Sequence, residues 1–121
     1  MPAAQRREGK ATRTRRDILD AASRRFAGCG YRETRLDDVG HDVGIGRSAV
    51  LYHFKDKQLL YRAMLDEVFG GLLLAMRAPL MNSGTLADRI EAAVVAFVDY
   101  MGLHPTAARL ALRESLNSDS N

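Results

Sequence analysis

The segment that most constrains the fold is the Gly-Ile-Gly sequence at positions 44–46, which separates two short stretches with helical apolar spacing. Leu36, Val39 and Val43 precede it at intervals of three and four residues, and a second apolar pattern starts at Val50. Glycine favours a tight reversal there, because it adopts backbone conformations that other residues avoid. We expect the first glycine to make the reversal, the isoleucine to anchor the corner, and the second glycine to allow close approach at the next helix. Helix, tight turn and short helix together predict a helix-turn-helix.

The rest of the chain also has helical spacing. A first helix is predicted from Thr12 to the glycines at positions 28 and 30, and Asp56 is predicted as the N-cap of a long fourth helix. Pro79 and Gly84 are expected to break the chain before two further helices. No run alternates apolar and polar residues long enough to indicate a strand, so the predicted fold class is all-α.

The charge is distributed unevenly over the 121 residues. The first 57 residues contain 13 Lys or Arg and 8 Asp or Glu, whereas the following 64 contain 5 and 7. A basic half beside an acidic half suggests that the first half meets a polyanion, although a solvated basic tail would give the same asymmetry. Arg13, Arg15 and Arg16 fit a loose basic arm better than a sequence-reading element.

Three regions are predicted along the chain. Residues 1–11 are polar and lack periodicity, which predicts a disordered basic arm, followed by domains at 12–57 and 58–121. No apolar stretch is long enough to span a bilayer, and the basic start lacks the apolar segment of a secretory signal. With a single cysteine, a cytoplasmic protein is the simpler expectation.

The short third helix, from about Arg47 to His53, is the expected contact surface. Backbone N–H groups at a helix start can receive a phosphate oxygen. The side chains that follow are small or hydrogen-bonding, so this helix can enter a major groove about 12 Å wide. An arginine here can pair with guanine, whereas an alanine can only contact a thymine methyl.

The stretch "RRDILDAASRRFAGCGYRETRLDDVGHDVGIGRSAVLYHFKDKQLLYRAML" resembles the DNA-binding domain of the TetR family of bacterial transcriptional regulators. Several fixed spacings match together over about fifty residues. The resemblance implies a three-helix helix-turn-helix DNA-binding domain, then a long connecting helix and the first helices of a regulatory domain. It also implies a repressor of a palindromic double-stranded DNA operator that a small hydrophobic effector releases. Residues 58–121 would then be a partial ligand-binding and dimerisation region, and a homodimer is expected if the dimerisation helices are present.

The resemblance assigns roles to individual residues. Arg47, Ser48 and Ala49 fall at the base-facing positions, and Lys57 falls on a phosphate-contacting lysine. The remaining residues that the resemblance places near the DNA backbone are Thr34, Tyr52 and His53. Arg35 is added on its own chemistry, because an arginine at that position can itself reach a phosphate. The effector pocket is predicted from positions bordering it in the family, which are Met64, Val68, Leu72, Met76, Phe97 and Met101. The same six side chains at helical spacing also fit an ordinary core.

Three positions depart from the family pattern. Arg35 replaces the usual Thr or Ser cap, which predicts a less firm start of the second helix. Gly40 replaces an alanine, with an expected cost of about 1 kcal/mol in helix stability. Leu51 replaces a tyrosine that contacts the DNA backbone, so that contact is not carried over.

The sequence also bears on two other function classes. A helical interaction module, which pairs with another subunit and lacks independent operator binding, is the alternative to a regulator. An enzyme is not expected, because the sequence has no nucleophile–base pair, metal cluster or phosphate loop. The histidines at positions 41, 53 and 104 lack metal-ligand spacing, and no metal or other cofactor is predicted.

Overall fold

The computed structural model describes the backbone of residues 3–119 and the side chains of residues 9–117. This part of the chain contains six helices and no strand, so the all-α prediction is confirmed. The helices are α1 (Ala3–Glu33), α2 (Leu36–Val43), α3 (Arg47–His53), α4 (Lys57–Met81), α5 (Leu86–Leu103) and α6 (Pro105–Asp119). The chain divides into two compact units between Met64 and Leu65. That division falls inside α4, whereas the predicted first domain ended at residue 57.

Helix α1 starts earlier than its apolar pattern predicts. It begins at Ala3, so the helix includes residues 3–11, where a disordered arm was predicted. Alanine, glutamine, arginine, glutamate and lysine dominate this stretch, and these residues favour helix. Residues 1 and 2 lie outside the described part of the chain. At its other end α1 is interrupted by Gly30, whose φ of 86° confirms a glycine break.

The first unit has a continuous apolar core. Tyr31 stacks on Phe26 with ring centroids 5.9 Å apart, and the edge of Tyr61 packs against both rings. Other large side chains that are fully buried in this unit are Ile18, Val39, Val50, Leu60 and Met64. The predicted inward faces of α1, α2 and α3 therefore meet as the spacing indicates.

The turn between α2 and α3 depends on two glycines, but they differ from the predicted pair. Gly44 has a φ of 82° and caps α2 in the left-handed conformation, as expected. Gly46 has no atom within 4 Å of a Cβ built on it, so its expected role in close approach is wrong. The close approach is at Gly40, where a built Cβ would lie 2.7 Å from the Ile45 carbonyl oxygen. The Ile45 amide donates to the Gly40 carbonyl at 2.8 Å, which draws the two segments together.

The second unit contains one departure from the sequence prediction. Pro79 lies inside α4, which continues to Met81, so the predicted break comes too early. The helix formers Leu80 and Met81 follow the proline. Gly84, with a φ of 129°, lies in the break that follows. Thr85 then caps α5, with its side chain accepting from the Asp88 amide in a capping box.

Helices α4 and α5 approach closely at a glycine in the second unit. The Tyr100 hydroxyl donates to the Val68 carbonyl at 3.1 Å. A Cβ built on Gly71 would lie 2.5 Å from that hydroxyl. A side chain at position 71 would therefore displace the tyrosine hydroxyl from this contact.

Candidate nucleic-acid interface

Helix α3 is held by one face and exposes another. Val50 is fully buried and Phe54, at the C-cap of the helix, is 5% exposed. On the outer side Ser48 is exposed, Ala49 is half-buried, and Tyr52 is 84% exposed. The anchoring residues therefore lie inward, and most of the predicted base-facing side chains are left accessible.

Arg47 is accessible at the start of α3. Its Nε lies 3.9 Å from the Asp37 carboxylate on α2, with side chains 64% and 60% exposed. An exposed pair at this distance stabilises the fold little, because water and salt screen it. The arginine is therefore available to exchange Asp37 for another anion.

A groove of about 320 Å³ joins the starts of α2, α3 and α4 to the end of α1. Its lining residues are Arg32, Thr34, Arg35, Leu36, Asp37, Arg47 and Lys57. Four cationic side chains line it together with a single carboxylate. Such a concave cationic surface is suited to a phosphate group, since charge-assisted hydrogen bonds to phosphate are strong.

Lys57 has a defined position in the groove. Its Nζ donates to the Arg32 carbonyl at 3.3 Å and lies 4.5 Å above the centre of the Tyr31 ring. Both contacts hold the ammonium group at the junction of α1 and α4. One hydrogen bond leaves part of its three-donor capacity for an anion.

The two predicted residues ahead of α2 differ in accessibility. Thr34 is 2% exposed, and its hydroxyl donates to the Gly30 carbonyl at 2.8 Å, closing the break in α1. Arg35 is exposed and is the N-cap of α2, with no side-chain cap hydrogen bond. The cap is thus absent, as the sequence predicted, and the acidic first turn at Asp37 and Asp38 favours the helix dipole instead.

His53 lies at the far end of α3 from this groove. It is half-buried, and its ring packs edge-on against Tyr52 with centroids 5.3 Å apart. The structure thus brings Thr34, Arg35, Arg47 and Lys57 together in the groove, while Tyr52 and His53 lie at the other end of the same helix.

Sequence reasoning missed three groove residues, namely Arg32, Leu36 and Asp37. Arg32 lies two residues after the Gly30 break, and that position is the signal that could have identified it. The sequence indicates Asp37 only as a favourable charge for the helix dipole. Asp37 lies near Arg47 because of the turn between α2 and α3, and residue spacing within one helix does not predict such a contact.

The six predicted pocket residues are unequally buried. Met64, in the first unit, is fully buried, and Leu72, in the second unit, is 8% exposed. Val68, Met76 and Met101 are half-buried, and Phe97 is 40% exposed. These positions fit a partly covered apolar surface, and the effector pocket stays a prediction.

Two further properties concern only the described residues. In that part of the chain, no three His, Cys, Asp or Glu side chains come close enough together to hold a metal ion. None of its helices combines the length and apolar character needed to cross a membrane.

Comparison with known proteins gives consistent matches. Residues 18–64 match the family described as bacterial regulatory proteins, tetR family. The chain is 31% identical over 87 residues to the HTH-type transcriptional activator FasR of Mycolicibacterium smegmatis, which covers 72% of this chain and 40% of that protein. The chain thus spans less than half the length of this relative.

Two crystal structures share the fold. One is a protein assigned to the tetR family of transcription regulators from Shewanella sp. PV-4, with a TM-score of 0.74 and 20% identity, over 79% of this chain and 51% of that one. The other is a TetR-family regulator from Streptomyces coelicolor A3, with a TM-score of 0.57 and 27% identity, over 83% of this chain and 56% of that one. From the family match, the curated relative and the shared fold, residues 18–64 form the helix-turn-helix segment of the tetR family of bacterial regulatory proteins.

Proposed function

We propose that this chain binds duplex DNA sequence-specifically and regulates transcription. The observation that carries the proposal is the cationic groove at the start of the exposed helix α3, where Arg35, Arg47 and Lys57 converge. In this proposal α3 enters the major groove, Arg47 contacts a base edge, and Lys57 contacts the phosphate backbone. The basic first half of the chain supplies the long-range attraction.

The finer part of the proposal concerns control. We infer a repressor that binds a palindromic operator as a homodimer and is released by a small hydrophobic effector, in a non-enzymatic, cytoplasmic protein. The activator named among its relatives makes the opposite output the competing outcome. A promoter carrying the selected site upstream of a reporter separates the two, because repression lowers expression and activation raises it.

The experiment starts by selecting duplexes from a random library with the full chain and measuring affinity at two salt concentrations. Arg47→Ala should cost about 1–3 kcal/mol on the selected site and relax preference at one base pair. Lys57→Ala should lower the affinity for all duplexes alike. It should also reduce the salt slope, which is the steepness with which log affinity falls with log salt concentration, by about 0.9 for each phosphate that is no longer neutralised.

Arg24→Ala is the matched control. Arg24 is an exposed α1 arginine that pairs with Asp20 at 3.3 Å, and it does not line the groove. Equal reductions of affinity in Arg24→Ala and Lys57→Ala would mean that binding follows net charge alone. A failure to select any sequence would reject specific recognition.

A helical interaction module is the second candidate. It is favoured by the many large apolar side chains that the second unit exposes, including Leu73 at 71%, Leu86 at 70% and Leu103 at 78%. Apolar residues exposed in such numbers are typical of surfaces that another chain covers. A stable dimer that selects no duplex would favour this candidate over the regulator.

A further inference from the structure

Arg15 of α1 is fixed at the end of α3 opposite the groove. Its guanidinium carbon lies 4.9 Å from the centre of the Phe54 ring, and Phe54 is the C-cap of α3. An arginine above an aromatic face is held by the negative charge of the ring face. Arg15 is therefore an ordered cation, although the sequence alone assigned it to a loose arm.

Cations thus stand at both ends of the exposed helix. Arg47 lies at its first residue, beside the groove that also contains Lys57, whereas Arg15 lies at its C-cap. Seven residues at about 1.5 Å each give a helix about 10.5 Å long. The major groove is about 12 Å wide, so groups at the two helix ends match the separation of its two walls.

The surroundings of Arg15 leave it accessible. Its side chain is exposed, and Lys55, also exposed, directly follows Phe54. Asp17 is an exposed acid two residues further along α1, and beyond Lys55 lies Asp56, whose carboxylate accepts from the Leu59 amide at 2.8 Å and caps α4. Asp56 thus already has a structural partner, and the region around the C-cap offers two positive charges.

We propose that Arg15 is a second phosphate anchor, which contacts the DNA strand across the major groove from the strand held by Lys57. This inference rests on the proposed function and deepens it, because it assigns the two ends of α3 to two different strands. Phe54 would orient the guanidinium before binding. Arg15 would then add affinity and fix the tilt of α3 without reading bases.

The test uses the full chain and the selected duplex. Arg15→Gln removes the charge at similar size, and Arg15→Lys keeps the charge. We expect Arg15→Gln to reduce the salt slope by about 0.9 per phosphate, so that raising salt from 50 to 200 mM costs the wild type about 3.5-fold more affinity than the variant. Arg15→Lys should retain the wild-type slope, and sequence preference should not change in either.

Phosphate-ethylation interference locates the two anchors. Within each half-site, Arg15→Gln should remove interference at the phosphates that Arg15 contacts on one strand, and Lys57→Gln at the phosphates that Lys57 contacts on the other strand. Arg24→Gln serves as the control for net charge. An Arg15→Gln variant that keeps the wild-type salt slope would overturn the inference. Equal slope reductions in Arg15→Gln and Arg15→Lys would also overturn it, because they would indicate a structural effect through Phe54.

The same measurements separate this inference from the function on which it rests. If the wild type binds and Lys57→Gln lowers its slope while Arg15→Gln does not, only the second anchor is wrong. If the wild type selects no duplex, the proposed function itself fails.

Discussion

At the scale of single residues, the surroundings of Gly40 oppose what helix propensity predicts for the stability of an alanine variant. Helix propensity alone predicts that alanine would be better at this position by about 1 kcal/mol. The structure places the Ile45 carbonyl oxygen 2.7 Å from a built Cβ, with a Val50 methyl at 3.2 Å. Real Cβ atoms do not come that close to a backbone oxygen, so an added methyl group must displace the turn.

We therefore expect Gly40→Ala to destabilise the first unit by about 1–3 kcal/mol, the usual range for overpacking. Gly28→Ala is the matched control, because Gly28 is also in a helix and has open space around its Cβ position. That variant should gain up to about 1 kcal/mol. Urea unfolding of the full chain measures both, and a stabilised Gly40→Ala would show that the turn relaxes at no cost.

The DNA-facing residues were predictable where they share one helix. Arg47, Ser48 and Tyr52 are exposed on α3, as the spacing of Val50 and Phe54 implies. Contacts that join distant segments were not predictable. The positions of Arg32 in the groove and of Arg15 on Phe54 require the tertiary fold, which apolar spacing and helix propensity along the chain do not give.

At the scale of helices, the bounds of α3 matched the predicted Arg47–His53, because a glycine turn precedes it and Asp56 caps the next helix. The start of α1 and the end of α4 were misplaced. The first error occurred where no apolar periodicity marks the boundary, and the second because Pro79 was expected to end a helix that continues past it. The ion pair that joins α1 to α2 was also missed, since Arg25 and Asp42 are 17 residues apart.

The ion pair between Arg25 and Asp42 gives a prediction of how stability depends on pH. The Arg25 guanidinium donates two hydrogen bonds of 2.7 Å to Asp42, and these bonds lower the pKa of the carboxyl group. In the unfolded chain the pKa returns to about 3.9. The pair therefore stabilises the fold fully above that value, and its contribution is lost as the pH falls from there through the lower, folded-state pKa.

We expect Asp42→Asn to be less stable than the wild type at pH 7, with the difference shrinking below about pH 4. Unfolding free energies measured by urea titration between pH 3 and pH 7 check this. Asp20→Asn is the control, because Asp20 forms an exposed ion pair with Arg24 of the same helix. A difference that stays constant down to pH 3 would show that the ionised Asp42 does not act through Arg25.

At the scale of the whole molecule, the proposal needs two copies of the chain. One α3 of seven residues reads only a few base pairs, and two symmetric readers on a duplex lie about 34–36 Å apart, one helical turn. The exposed apolar side chains of the second unit are suited to association between copies. Selective affinity should therefore depend on half-site spacing as well as on half-site sequence.

We expect five base pairs inserted between the half-sites of the selected duplex to reduce affinity toward the non-specific level, which is typically about 10³-fold weaker or more. The insertion turns one half-site to the opposite side of the duplex, so that only one reader engages. An insertion of ten base pairs returns both half-sites to the same side of the duplex, and it should recover affinity if the dimer tolerates the greater distance. Sedimentation at the binding concentration, run alongside, gives the mass of the free protein. A monomer whose affinity ignores both insertions would mean that each chain reads DNA alone, and the palindromic operator would then have no physical basis.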